Sequence, residues 1–253
     1  MESSKAKLVQ GKPSVAIISM MAPMVIGLLV MIGNGLVDAY FVGKLGYAQL
    51  AAVSYAFPVW FIVSGIVMGL GVGTSSVASR AFGLDDKKSV REIATHSMIL
   101  AVAAGFFVII AGLSSIDILF GFLGANEETM PYVKDYMKIY YWGGLFMAIP
   151  IIGNSVLRAS GDAKTPSVLM ASSAAINAIL DPILIFGWFG MPALGVQGAA
   201  LASVIANIIF LIASLIVLIF RDDLIQFKNH TITAVLNSWK KILHVGIPAI
   251  ASN

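Results

Sequence analysis

Two aspartates lie within long apolar stretches of this chain. The other eleven of its thirteen acidic residues lie in polar segments or near the ends of apolar ones, whereas Asp38 and Asp181 do not. Ionisable residues at membrane depth are costly and usually mark an ion or substrate path. A low dielectric and a second carboxylate both favour the neutral form, so such a pair could exchange a proton for another cation. Carboxylate and amide oxygens could instead hold Na⁺, in which case Asp38 and Asp181 would form a metal site.

Amide and hydroxyl side chains accompany both aspartates at helical spacing. Asn34 precedes Asp38 by four residues, and Asn177 precedes Asp181 by four, which places each pair on one helix face. Further polar residues continue these stripes or repeat their spacing on a neighbouring apolar segment; they are Ser173, Ser203 and Asn207. Lipid would not solvate such stripes, so we expect them to face the bundle interior. Two alternatives stay open: solvation of Asp38 near the outer mouth, and plain interhelical hydrogen bonding by Asn177 and Ser203.

The elements that must position these side chains are membrane-spanning helices. The chain is 58% hydrophobic and only 11% charged, whereas a soluble domain has about 25% charged residues. A spanning helix needs about 20 apolar residues, which predicts helices at 14–42, 50–78, 93–119, 131–157, 166–188 and 197–219. The predicted fold class is an all-α polytopic membrane protein with a six-helix transmembrane bundle, followed by the start of a seventh helix.

The distribution of basic residues predicts the orientation of these helices. Thirteen of the sixteen Lys and Arg residues fall in the N-terminus, the second and fourth connections, and the segment after the sixth span. The positive-inside rule therefore places the N-terminus in the cytoplasm. Asp38 lies six residues before Lys44, and Asp181 seven before Trp188. Each aspartate would then lie about 10 Å below the outer interface, at a common depth.

Prolines interrupt several of the predicted helices. Pro23 could let the first helix bend, and Pro182 could free a backbone carbonyl next to Asp181. The apolar sequence around Pro248 repeats that around Pro23 after about 225 residues, which suggests the start of a second repeat. We therefore divide the chain into a cytoplasmic N-terminus at 1–13, a six-helix lobe at 14–220, a cytoplasmic linker at 221–240, and the start of a seventh helix at 241–253.

The sequence argues against enzymatic chemistry and against organic cofactors. It contains no cysteine, no HExxH motif and no Ser-His-Asp candidate set, and its three histidines have no metal-binding spacing. The glycine-rich run 69–76 lacks the lysine of a phosphate-binding loop, so close helix packing explains it better. An intramembrane aspartyl protease is disfavoured because Val37 and Leu180 precede the aspartates. The basic residues follow membrane topology, so nucleic-acid binding is not expected.

Five motifs together resemble the multidrug and toxic compound extrusion (MATE) family. They are the segments 35–46, 80–83, 158–166, 177–182 and 195–200, and their order and spacing make the set specific. Asp38, Asn177 and Asp181 resemble the set found in the prokaryotic DinF-like branch of the family. The resemblance covers essentially the whole chain, except that a second lobe is missing.

The resemblance implies a function beyond the pattern itself. Members export organic cations and other amphipathic drugs across the prokaryotic cytoplasmic membrane, driven by inward H⁺ or Na⁺ flow, through two six-helix lobes related as repeats. The first-lobe cation site would comprise Asp38, Asn177, Asp181, Asn154 and Ser203, with a helix bend at Pro23. The expected partners are membrane lipid, a drug, and a C-terminal lobe in the same or another chain. Alternatives are a lipid-linked oligosaccharide flippase of the same superfamily and a membrane subunit that does not transport.

Overall fold

A computed structural model of the chain describes residues 13–226 and 230–251, with the backbone alone for residues 13–20, 22–24, 28 and 31. Throughout these ranges the regular structure is helical and contains no strand. Within these ranges the α-helices are, in chain order, α1 (Pro13–Gly43), α2 (Tyr47–Gly83), α3 (Lys87–Phe122), α4 (Met130–Ala159), α5 (Lys164–Phe186), α6 (Val196–Ile216) and α7 (Ile232–Ala251), with a short 3₁₀ helix, Trp188–Gly190, between α5 and α6. A π-helical turn, Val217–Arg221, extends α6.

Six of the described helices, α1 to α6, are long and apolar enough to cross a membrane. This confirms the predicted six-helix fold class. Several helices extend beyond the apolar stretches from which they were predicted; α3, for example, begins at Lys87 and not at residue 93. The extension arises because polar first turns can be helical when their amides are capped.

Side-chain caps define the starts of α3 and α5. Asp86 accepts the backbone N–H of Ser89 at 3.0 Å and its hydroxyl at 2.6 Å, and these bonds lower the pKa of Asp86. Asp162 accepts the backbone N–H of Thr165 at 2.9 Å in the same way. Each cap satisfies one of the free amides at a helix N-terminus. At its other end α5 stops at Gly187, whose φ of 75° lies in the left-handed region.

The interior of the bundle is organised around α4, which packs against α2, α3 and α6, while α5 packs against α1 and α6. The buried cores contain large side chains such as Phe120, Met137 and Tyr141. Large apolar side chains also cover the outside of the bundle, for example Phe107 and Ile118, which are 70% and 79% exposed. An apolar exterior around an apolar interior is the distribution expected of helices surrounded by lipid.

The seventh helix begins at Ile232 and not at residue 241, so much of the predicted linker is helical. α7 lies directly against α2, and glycines permit the close approach. A Cβ atom on Gly246 would lie 3.0 Å from the carbonyl oxygen of Gly69, and one on Gly73 would clash with the backbone of Ile242. The glycine-rich run in α2 therefore serves close helix packing, as the sequence suggested.

Candidate cation site

The aspartate of α1 and the polar stripe of α5 meet where these two helices pack together. Near their ends the rings of Phe41 and Phe186 contact each other edge to face, with centroids 6.2 Å apart. One turn further into each helix lie Asp38 and Asp181, close enough for their carboxyl groups to interact electrostatically. The predicted pairing of the two aspartates is therefore present in the tertiary structure.

Asn177 connects three helices at this site. Both polar atoms of its side-chain amide have hydrogen-bond partners when the nitrogen points to α1 and the oxygen to α6. The nitrogen then donates to Oδ1 of Asp38 at 2.8 Å and to Oδ1 of Asn34 at 3.0 Å, and the oxygen accepts from the Ser203 hydroxyl at 3.2 Å. The reverse orientation would set the amide oxygen against a carboxylate. Four of the residues chosen from the sequence are thus joined through one buried amide.

Asp181 is the most deeply buried member of the site. The residue is 0% exposed, and no donor among the described residues reaches its carboxyl oxygens. The carboxyl of Asp38 lies within hydrogen-bonding reach, so a bond between the two forms when one of them carries a proton. Such a group is costly to bury unless it is neutralised or bound by a partner. Pro182 follows it inside α5 and cannot donate to the carbonyl one turn earlier. Asp181 can therefore be neutralised by a proton shared with Asp38 or by a bound cation.

Tyr136 of α4 is a neighbour that the sequence reasoning missed. It is 8% exposed and lies close enough to Asp38 and Asp181 to interact with both electrostatically. Its ring stacks on that of Tyr140, with centroids 5.7 Å apart and planes at 16°. A tyrosine pair at i, i+4 in a spanning helix was the available signal, but such pairs also occur in ordinary interfacial positions.

Asn154 lies apart from this cluster, which corrects its assignment to the same site. It is 1% exposed, and neither amide atom has a hydrogen-bond partner among the described residues. Asn154 is near the C-terminal end of α4 at Ala159, whereas Asp181 is near the C-terminal end of α5 at Phe186. Consecutive spans run in opposite directions, so these two ends lie on opposite sides of the membrane.

Three further residues predicted for the site are Ser173, Asn207 and Pro23. The Ser173 hydroxyl donates to the carbonyl of Ala206 at 3.2 Å, which joins α5 to α6 without reaching the aspartates. Asn207 is half-buried on α6, one turn after Ser203. The Pro23 side chain lies outside the described residues, although the α1 backbone is helical through this position. Helix bending at Pro23 therefore stays a prediction.

The donor set limits what the site can bind. Its acceptors are carboxylate, amide and hydroxyl oxygens, which suit a proton or a hard monovalent cation. Within the described part of the chain, no three His, Cys, Asp or Glu side chains are grouped as a multivalent metal site would require. The cluster lies near the end of the bundle at which α1 and α5 have their C-terminal ends.

The fold and this site define a multi-pass α-helical membrane protein with a buried carboxylate pair. The chain belongs to the MatE family, whose model matches residues 23–183. This finding confirms the family resemblance.

Named relatives support the same assignment. The chain is 34% identical to "FAD transporter" of Shewanella oneidensis, over 94% of this chain and 52% of that protein. It is 29% identical to "Probable multidrug resistance protein NorM" of Thermotoga maritima, over 87% of this chain and 47% of that protein. The chain spans about half the length of the curated relatives it matches.

Solved structures agree with the sequence comparisons. A crystal structure described as MATE in the bent conformation superposes with a TM-score of 0.86 and 32% identity, covering 96% of this chain and 54% of that one. A MOP superfamily transporter from Pyrococcus furiosus, described as having a binding pocket of reverse polarity, gives a TM-score of 0.85 and 33% identity, covering 97% and 54%. Both matches place this chain on one half of a longer transporter.

Proposed function

We propose that this chain forms the N-terminal lobe of a cation-coupled antiporter that exports organic-cation or amphipathic drugs across the prokaryotic cytoplasmic membrane. The observation that carries the proposal is the Asp38–Asn177–Asp181 cluster, which joins α1 to α5 and in which the buried Asp181 carboxyl lies within hydrogen-bonding reach of the Asp38 carboxyl but has no permanent donor among the described residues. Relatives named as multidrug resistance and multidrug export proteins support the substrate class.

The physical basis of coupling is competition for the same buried oxygens. A proton or Na⁺ on Asp181 neutralises a charge that the protein interior disfavours, and its departure restores that charge. Asp38 senses the change because it lies beside Asp181 and is tied to α5 through Asn177. A change of ion occupancy at α5 would thereby alter the contact between α1 and α5, which is a direct route from binding to helix movement.

Two experiments test the proposal. In lipid nanodiscs, the thermal midpoint of the chain should depend on Na⁺ concentration or on pH, and this dependence should disappear in Asp181→Asn. When the lobe is expressed together with a second six-helix lobe, Asp38→Asn and Asp181→Asn should each abolish drug resistance while membrane insertion is retained. Undiminished efflux in both variants would refute the site assignment.

FAD is a second candidate substrate, favoured by the 34% identity to a protein named FAD transporter. A dinucleotide is anionic, so it would not compete with cations at the aspartates and would bind elsewhere in the transporter. Transport assays in vesicles should therefore include both ethidium, as an organic cation, and FAD. FAD uptake without ethidium uptake would replace the drug assignment and leave the cation site unaffected.

A further inference from the structure

A second polar cluster lies at the beginning of α3, far along the chain from the cation site. His96 is 1% exposed and contacts two segments that follow α6. Its Nε2 lies 2.9 Å from Nδ1 of His230, and its Nδ1 lies 2.8 Å from the hydroxyl of Ser238 on α7. No residue of this cluster takes part in the site formed by Asp38 and Asp181.

The contacts determine where each proton of the neutral cluster lies. Nε2 of His230 is 2.6 Å from the carbonyl oxygen of Gln226, which can only accept, so this nitrogen carries a proton. Nδ1 of a neutral His230 is then an acceptor, and Nε2 of His96 must donate to it. Nδ1 of a neutral His96 accepts in turn from the Ser238 hydroxyl. The three hydrogen bonds therefore run in one direction. Ser238 of α7 donates to His96 of α3, His96 donates to His230, and His230 donates to the carbonyl of Gln226.

Further bonds attach the same two segments to α3. Nε1 of Trp239 donates to the carbonyl of His96 at 2.9 Å, and the backbone N–H of Gln226 donates to the Thr95 hydroxyl at 3.0 Å. Ile242 of α7 is 0% exposed in a core with side chains of α2 and α3. α7 is therefore held against the six-helix bundle by an apolar contact and by the bonds of Ser238 and Trp239 to His96. The histidine pair joins the chain just before α7 to α3.

We propose that His96 and His230 form a proton-responsive latch, which holds the chain just before α7 against α3 while the pair carries at most one added proton. This latch is independent of the proposed transport function, because it concerns only contacts within this chain.

Counting donors gives the proton limit. One added proton can be accommodated, because His230 can donate from both nitrogens if His96 moves its own proton to Nδ1 and donates to Ser238. A second added proton cannot be accommodated. Both histidines would then present N–H groups to each other across 2.9 Å, and two positive rings would lie with centroids 4.9 Å apart. Uptake of the second proton therefore breaks the connection between α3 and His230.

Charged groups near the cluster affect how readily the two histidines take up protons. Burial of His96 and a positive charge on His230 both disfavour protonation of His96, whereas Glu92, one turn earlier on α3, partly offsets them. The other charged groups near the cluster engage each other or extend to solvent: Arg91 binds Asp223, and Lys240 and Lys241 of α7 are exposed. The lysines oppose a second positive charge, as does the first histidinium. Because the second proton must enter a pair that already carries a positive charge, we expect an intact latch at neutral pH and release only in acid, below the pH of about 6.5 at which an isolated histidine titrates.

The distance between α7 and the bundle tests the latch directly. The chain has no cysteine, so Leu84→Cys and Ile232→Cys, at positions 81% and 80% exposed, provide two sites for spin labels, the second of them two residues from His230. Double electron–electron resonance spectroscopy in nanodiscs should give one narrow peak for the distance between the two labels near neutral pH, and this peak should be lost in acid. His230→Gln keeps an acceptor for His96 and a donor for Gln226 but cannot gain a proton, so its narrow peak should persist in acid.

The third histidine supplies the matched control. His244 is exposed on α7, and His244→Gln should leave the acid response unchanged. A response that persists in His230→Gln, or no response in the doubly labelled parent, would overturn the proposal. Nitrogen NMR gives a second readout that needs no substitution: a coupling across the hydrogen bond between His96 and His230 should be seen at neutral pH and lost in acid. Absence of this coupling at neutral pH would equally overturn the latch.

Discussion

Asn177 of α5 donates its amide nitrogen to Oδ1 of Asp38 on α1 at 2.8 Å, so an amide is the direct hydrogen-bond partner of this aspartate. The consequence concerns Asp181, one turn further along α5. Its carboxyl group is fully buried, has no donor among the described residues, and lies within hydrogen-bonding reach of the Asp38 carboxyl. The site thus combines an amide that joins the helices with a pair of carboxyl groups that can hold a proton or a cation.

Asp181→Asn should remove ion coupling while preserving the fold. The substitution replaces a titratable group by a neutral one of nearly the same shape, so we expect the Na⁺ or pH dependence of the thermal midpoint to be lost and efflux to fall by about tenfold or more. Asp117→Asn is the matched control, because Asp117 is exposed and paired with Lys134. An equal effect of both substitutions on ion dependence would contradict the assignment.

Asn177→Ala should loosen the junction between α1, α5 and α6. The change removes the donor to Asp38 and the acceptor of Ser203 and leaves both groups partly buried, which should cost about 1–3 kcal/mol of stability. The loss is measured as a lower unfolding midpoint in detergent or nanodiscs. Asn237→Ala, at an exposed position on α7, should change the midpoint little. Equal midpoints for Asn177→Ala and the parent would show that the amide bridge contributes nothing.

Gly73→Ala should displace α7 from α2. A Cβ atom at this position would clash with the backbone of Ile242, and a backbone atom cannot move aside as a flexible side chain can. Limited proteolysis between α6 and α7 should therefore become several-fold faster. Gly65→Ala in the same helix is the control, since a Cβ there would meet nothing within 4 Å. Unchanged proteolysis of Gly73→Ala would contradict the observed packing.

A hydrogen-bonded network around the Asp162 carboxylate joins the start of α5 to the end of α6, and it should make the stability of the protein fall in acid. Burial alone would raise the pKa of Asp162, but hydrogen bonds from Thr165 and from Arg221 outweigh burial and hold this pKa below its ordinary value of 3.8. A lowered folded pKa stabilises the protein above the unfolded value, and this contribution is lost as pH falls through the folded value. The contribution should be modest, because Arg221 is largely exposed.

Arg221→Gln removes that contribution together with the bonds between Arg221 and Asp222. The variant should unfold at a slightly lower temperature near pH 7, and its difference from the parent should shrink below about pH 4 as Asp162 becomes protonated in both. Lys164→Gln serves as the control because Lys164 is exposed next to the same helix start. A difference between Arg221→Gln and the parent that grew in acid would have the wrong sign for this network.

Local sequence patterns were sufficient for the helices and for the choice of the central residues. Apolar runs of spanning length identified six helices, and the four-residue spacing within 34–38 and 177–181 placed amides and carboxylates on shared faces. These properties depend on helix periodicity, which each segment carries within itself. The early start of α7 at Ile232 was missed because its first turns are polar and amphipathic, which resembles a linker in composition.

Contacts between distant segments required the tertiary structure. The sequence alone could not show that Asn177 bridges Asp38 and Ser203, that Tyr136 lies beside both aspartates, or that Asn154 lies at the opposite end of the bundle. Neither could it join His96 to His230, which are separated by 134 positions. The rotation and tilt of each helix about its neighbours decide such contacts, and these depend on how all the helices pack together, whereas periodicity specifies only which side chains share a face.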